Sequence, residues 1–207
     1  MSEINAPERG QSAGVQLSEA ELQVLIERTA TGDKQAFQAL FQALGERVFR
    51  YALRLISNPS KAEEVTNDVM LEVWKKAATY ERRSKVSTWI LGITRHVALN
   101  AVRRKEFDTV DIDEGPEIEV EIDETPSVER DRAALKREIR RSLEKLSAEH
   151  RDVIELTFFH GCSYQEIANI VGCPPNTVKT RMHHAKKILM GYLSEAGMDP
   201  STVEMAS

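Results

Sequence analysis

The segment from Asn176 to Lys187 carries Asn176, Thr177, Lys179, Thr180, Arg181, His184, Lys186 and Lys187 within one short stretch. These side chains bind nucleic acid in recognisable ways. Arg and Lys pair with guanine or phosphate, and a threonine methyl meets the methyl of thymine. Such chemistry needs a rigid support, and the residues just upstream provide one. Ser163-Tyr-Gln-Glu166 reads as a capping box, in which the serine hydroxyl takes a helical amide and the glutamate reaches back. Ala168 is small where two helices approach, and Gly172 suits a left-handed turn. Pro174 and Pro175 stop the first helix, Pro175 opens the second, and Asn176 is the expected N-cap. Ile167, Val171, Val178 and Met182 supply a small shared core. The expected unit is a helix-turn-helix whose second helix enters the major groove. The terminal modules of many response regulators read similarly, so this motif alone does not choose among regulators.

A second basic stretch interleaves cations with aromatics: Tyr80, Arg82, Arg83, Lys85, Trp89, Arg95, Arg103 and Arg104. Charge combined with stacking surfaces is how proteins hold single-stranded DNA. The net charge of −5 over 207 residues conceals this unevenness. Nine Lys or Arg and a single acid, Glu81, fall between Lys75 and Lys105, whereas eleven acids and no Lys or Arg fall between Glu106 and Glu129. A protein can hold a basic binding face while its total is acidic. Cys162, Cys173, His160, His183 and His184 fit no common zinc spacing, and two cysteines make no disulfide framework.

Helical periodicity runs through both halves of the chain. Phe37, Leu40, Phe41, Leu44, Val48, Ala52 and Leu55 recur at steps of three and four, and Ser57-Asn58-Pro59 ends that helix. Val65, Val69 and Val73, widened by Met70 and Trp74, mark the next. A third runs from about Ser87 to about Arg104, with Trp89, Ile93 and Val97 inward. Ile118–Ile122 alternates with acids, but like charge and Pro116 and Pro126 favour an extended linker over a strand. The second block begins near Ser127. It has an inner stripe of Leu135, Ile139, Leu143 and Leu146, an N-cap at Ser147, and Val153, Ile154, Leu156 and Phe158 for burial. The expectation is an all-α fold of two small helical domains joined by an acidic flexible linker. Its parts are a tail at 1–17, a domain at 18–105, the linker at 106–127, a helix-turn-helix domain at 128–193 and a C-terminal tail at 194–207.

Three ordered stretches resemble the extracytoplasmic-function (ECF) sigma factors, the compact group IV of the sigma-70 family. They are AEEVTNDVMLEVW (Ala62–Trp74), VSTWILGITRHVALNAVRR (Val86–Arg104) and LSAEHRDVIEL (Leu146–Leu156) ahead of the helix-turn-helix. Val86 stands where the family usually has an aromatic, and Asn100 where it has Asp. The resemblance implies a transcription initiation factor that binds core RNA polymerase at the β′ clamp and β flap. Glu64, Asn67 and Asp68 would meet the clamp. Tyr80, Arg82, Arg83, Ser84, Lys85, Trp89, Arg95, Asn100, Arg103 and Arg104 would lie on the −10 element. Asn176, Thr177, Lys179, Thr180, Arg181, His184, Lys186 and Lys187 would read the −35 element as duplex. It also implies regulation by an anti-sigma factor, a cytoplasmic location, no catalytic role and no cofactor or metal.

Three rival readings have distinguishing signs. A response-regulator-like factor requires alternating strands and helices upstream, and the first hundred residues show none. An enzyme requires a zinc or thiol site. An adaptor that binds polymerase without reading DNA would give no DNA crosslinks in the holoenzyme. No run of about 18 apolar residues suggests a membrane span, and the N-terminus lacks a secretory pattern.

Overall fold

The computed structural model describes residues 17–108, 141–143 and 145–195. Residues 109–140, which hold most of the acidic stretch and of the expected linker together with Leu135 and Ile139, lie outside the described residues, as do most of both tails. Every regular element within the described residues is helical.

Four helices build the first block: α1 (Glu19–Ala30), α2 (Lys34–Ile56), α3 (Pro59–Lys76) and α4 (Val86–Asp108), with one 3-10 turn at Ala77–Thr79. Their starts are set by side-chain oxygens that take otherwise unpaired amides. Ser18 and Glu21 form a capping box on α1. Asp33 accepts from Gln35 and Ala36 at 2.9 and 3.1 Å, and Asn58 accepts from Lys61 at 3.0 Å with Pro59 at the first position. The amide of Val86 donates to the Glu19 carboxylate, so α1 helps cap α4 across the bundle. Leu40, Leu44, Val48 and Ala52 of α2 meet Val65, Val69, Met70 and Val73 of α3 in a closed core, covered by Leu22 and Ile26 of α1. Leu40 is fully buried, so Leu40→Ala would cost about 2–5 kcal/mol.

The inward face of α4 differs from the expectation. Val86, Ile90, Thr94 and Ala98, spaced by four, form a buried row, while Trp89, Ile93 and Val97 are half-buried. The reason is that α4 packs on two sides, against α2 and α3 and against the second block, where Leu91 is buried. Trp89, Ile93 and Val97 form the wall left between these contacts. Thr94 escaped notice as a core residue because it is polar. Its hydroxyl donates to the Ile90 carbonyl at 2.8 Å, which satisfies it without solvent.

The second block contains α5 (Ala148–Ile154), which widens into a π turn at Glu155–Phe159, then α6 (Tyr164–Val171) and α7 (Pro175–Glu195). Ser147 caps α5 as expected, and the Ser163–Glu166 capping box starts α6. Gly172 has φ 71° and closes α6 in the left-handed region. Two local expectations fail. Phe158 is 41% exposed, because the π turn turns Leu156 inward and leaves Phe158 and Phe159 outside. The N-cap of α7 is Pro174, whose carbonyl accepts from Thr177 at 2.9 Å. Pro175 occupies the first helical position, which carries Asn176 one residue into the helix. The core of this block runs through Val153, Leu156, Ile167, Val178, Met182 and Leu193, and it is continued by Tyr51 and Leu91 of the first block.

Candidate nucleic-acid interface

The amphipathic pattern of α7 decides which of its side chains reach outward. Val178, Met182, Ala185, Leu189 and Leu193 are buried. The opposite side presents Asn176, Lys179, Thr180, His184 and Lys187, all exposed, while Thr177 and Arg181 are half-buried. The Thr180 hydroxyl donates to the Asn176 carbonyl at 3.0 Å. Arg181 reaches the Cys173 sulfur at 3.9 Å, and the Lys186 ammonium sits 5.4 Å from the Phe158 ring. His183 was not among the expected contacts, yet it is exposed and stands one turn from both Lys179 and Lys187. Periodicity could have found it, since every fourth residue shares a face.

The other basic stretch folds into a groove of about 1030 Å³ whose walls come from α3, α4 and α6. Arg83, Ser84, Trp89, Asn100 and Arg104 line it, joined by Lys75, Lys76 and His96. Ile93 and Val97 give it an apolar floor. Tyr80 packs on Trp89 with ring centroids 5.4 Å apart, and its hydroxyl donates to the Ser84 carbonyl at 2.6 Å. That bond ties the loop before α4 into a fixed shape. Arg82 lies in the left-handed region at φ 57° and pairs with Glu27 of α1. Arg83 pairs with Glu81 at 2.7 Å. Asn100 contacts the His96 ring at 3.1 Å. Arg103 is exposed beyond the groove lining. On α3, Glu64, Asn67 and Asp68 are all exposed, and Asp68 also lines the groove.

Lys85 and Arg95 are not drawn into that groove. Lys85 Nζ lies 3.1 Å from Glu166 Oε1, and Arg95 Nε donates to Asp152 Oδ2 at 2.9 Å. Partial burial works against the Glu166 charge, but the amide and hydroxyl of Ser163, with Lys85 and Thr88, outweigh it and bring the carboxyl down to about 2. Burial pushes Asp152 up, with Arg95 opposing, and pushes Glu155 up, with Arg54 opposing. Sequence reasoning missed these partners because nothing in their local spacing announces a contact between blocks.

Cys162 is buried and Cys173 is half-buried, both as free thiols. Among the described residues, no cluster of three or more His, Cys, Asp or Glu is arranged to hold a metal ion, and no helix is long and apolar enough to cross a membrane.

A helix-turn-helix beside a groove lined by cations and an aromatic is an arrangement suited to holding DNA. Residues 40–107 match the family Sigma-70 region 2, and residues 136–189 match Sigma-70, region 4. The ECF RNA polymerase sigma factor RpoE of Cereibacter sphaeroides is 32% identical over 164 residues, covering 78% of this chain and 88% of that protein. SigK of Mycolicibacterium vanbaalenii is 28% identical over 196 residues, covering 90% and 96%. The fold is also that of the sigma factor RpoE of Bartonella quintana, solved with the anti-sigma factor NepR, at a TM-score of 0.61 and 24% identity over 76% of this chain and 96% of that one. The chain belongs to the ECF sigma factors of the sigma-70 family and functions as an RNA polymerase sigma factor.

Proposed function

We propose that the chain reads a promoter through two surfaces of different kind, and that it performs no covalent chemistry of its own. The region 2 side of the groove, on α3, α4 and the loop between them, takes unstacked bases of the −10 element. Trp89 offers a stacking wall, and Arg83, Ser84, Asn100 and Arg104 follow the strand beside it, with Tyr80, Arg82, Lys85, Arg95 and Arg103 at its margins. A base stacked on an aromatic is worth roughly 1–3 kcal/mol. Holding such bases draws the duplex toward the open state by mass action, so no covalent step is needed. Region 4 lays α7 into the major groove at the −35 element, with Asn176, Thr177, Lys179, Thr180, Arg181, His184, Lys186 and Lys187 as its reading and phosphate-binding side. Glu64, Asn67 and Asp68, exposed together on α3, form the face for the β′ clamp of core polymerase, and region 4 meets the β flap.

The observation that carries this reading is the single groove that unites Arg83, Ser84, Trp89, Asn100 and Arg104. The domain bounds proposed with it are region 2 at 18–105, a linker at 106–127 and region 4 at 128–193. The chain works in the cytoplasm. Because the similar Bartonella quintana protein is solved with an anti-sigma factor, an anti-sigma protein is the proposed negative partner. Transcription in vitro with core polymerase on a promoter library tests the whole reading. Initiation at a set of promoters sharing two spaced elements is expected. Initiation that depends on only one element would sink the two-surface reading.

A further inference from the structure

Two of the cations at the margin of the −10 surface, Lys85 and Arg95, already have partners, and those partners come from region 4. Lys85 Nζ lies 3.1 Å from Glu166 Oε1, and the Thr88 hydroxyl donates to the same oxygen at 2.9 Å. Arg95 donates to Asp152 at 2.9 Å, and the Tyr51 hydroxyl donates to the other oxygen of that carboxylate at 3.3 Å. Arg54 Nε lies 3.4 Å from Glu155, and Arg47 donates to the His160 carbonyl. In each of the three ion pairs the cation belongs to the first block and the carboxylate to the second.

Burial makes these pairs consequential. Asp152 and Glu155 are 5% and 4% exposed. Carboxylates so far from water require charged or hydrogen-bonding partners, and Arg95, Tyr51 and Arg54 supply them from across the interface. Tyr51 and Leu91 of region 2 are buried in the core cluster of region 4, so apolar packing and ion pairing act on the same contact. Carboxylate oxygens about 3 Å from Lys and Arg nitrogens reproduce the geometry of phosphate contacts. Meanwhile Asn176, Lys179, Thr180 and Lys187 on α7 stay exposed.

We propose that region 4 acts as an intramolecular substitute for nucleic acid, in which Asp152 and Glu166 occupy the strand-binding cations Arg95 and Lys85 while Glu155 holds the flanking Arg54. The clasp withholds Lys85 and Arg95 from the −10 strand and leaves the −35 helix free, so full strand binding requires the two regions to part. The proposal rests on the assignment of Lys85 and Arg95 to the −10 strand. The apparent affinity for single strands falls by the fraction of chains that are open.

The test uses the full chain and two variant pairs that avoid the assigned DNA contacts. Asp152→Asn with Glu155→Gln weakens the clasp from region 4. Arg47→Ala with Arg54→Ala weakens it from α2, where alanine favours helix. Small-angle scattering reports the shape, circular dichroism the helicity, and anisotropy the binding of a fluorescein-labelled single strand of about 20 mixed nucleotides. Both pairs should expand the chain at unchanged helicity and tighten strand binding about tenfold. Net charge alone predicts tightening for the first pair and loosening for the second, so shared tightening marks the clasp. A chain that stays compact, or one that opens with no gain in affinity, would overturn the proposal. Adding Arg82→Ala and Arg83→Ala to an opened variant separates the two ideas. If the gain survives these changes undiminished, the clasp stands and the assignment of the −10 loop falls.

Discussion

Replacing His160 by phenylalanine should change how the stability of the chain depends on pH. His160 is 8% exposed and follows the π turn of region 4. Its ring meets that of Tyr51 at 5.2 Å, and neither ring nitrogen has a hydrogen-bond partner. Burial, together with the guanidinium groups of Arg47, Arg50 and Arg54, lowers its pKa from 6.5 to about 4. The unfolded chain therefore accepts a proton in a range where the folded chain refuses it. The contribution of this group to stability is intact above 6.5 and is lost as pH falls toward about 4. At about 1.4 kcal/mol per pH unit, the loss amounts to about 2 kcal/mol by about pH 5 and about 3 kcal/mol by about pH 4. Asp152 and Glu155 act in the opposite sense. Their raised values mean that the folded state binds protons more readily than the unfolded state, which favours the folded state on acidification. The parent alone thus reports a difference of terms. His160→Phe keeps a ring against Tyr51 and removes only the imidazole contribution. Urea denaturation of both proteins across this range measures it. The parent should lose about 2 kcal/mol relative to the variant between about pH 7 and about pH 5. A constant gap between the two proteins would refute the argument that His160 is held neutral by its surroundings.

Three further outcomes follow from the geometry. Lys179→Ala with Arg181→Ala should weaken footprints at the −35 element, whereas Arg82→Ala with Arg83→Ala should mainly reduce permanganate reactivity at the −10 step; each lost phosphate contact should lower the salt slope by about one. Identical defects in both pairs would show that the division of labour is wrong. Glu64→Lys with Asp68→Lys should abolish co-elution with core polymerase without lowering the melting temperature, because both residues are exposed and the Lys61–Glu64 pair at 2.7 Å lies on the surface, where such pairs are worth less than about 1 kcal/mol. Gly172→Ala should cost about 1–2 kcal/mol in urea denaturation, since φ 71° disfavours any side chain although no heavy atom lies within 4 Å of the added Cβ; an unchanged midpoint would show that the turn relaxes freely.

Local rules reached far into this fold because its helices start and stop on local chemistry. Ser147, the Ser163–Glu166 capping box and Gly172 could be located from neighbours three or four residues away, and each does what those neighbours require. The rows Val65, Val69, Val73 and Leu40, Leu44, Val48 are inward for the same reason. The misplacements share a different cause. On α4, hydrophobicity pointed to Trp89, Ile93 and Val97, but a helix packed on two sides turns Val86, Ile90, Leu91, Thr94 and Ala98 inward and leaves Trp89, Ile93 and Val97 to line a groove. At Phe158 a single π turn shifted the phase, which no count at a fixed period detects.

The basic surface was legible as composition but not as geometry. Lys85, Arg83 and Arg95 lie close in sequence and were read together, yet only Arg83 lines the groove while Lys85 and Arg95 turn to region 4. The difference arises from carboxylates 57 to 81 residues away, whose own neighbourhoods read as ordinary helix starts. Glu166 illustrates the problem best. Its capping role was predictable from Ser163 three residues before it, and that role already satisfies part of the carboxylate. The other oxygen is left free to meet Lys85 and Thr88. A residue that completes a local motif can therefore still carry a long-range contact, because a carboxylate has more acceptor sites than one capping box consumes.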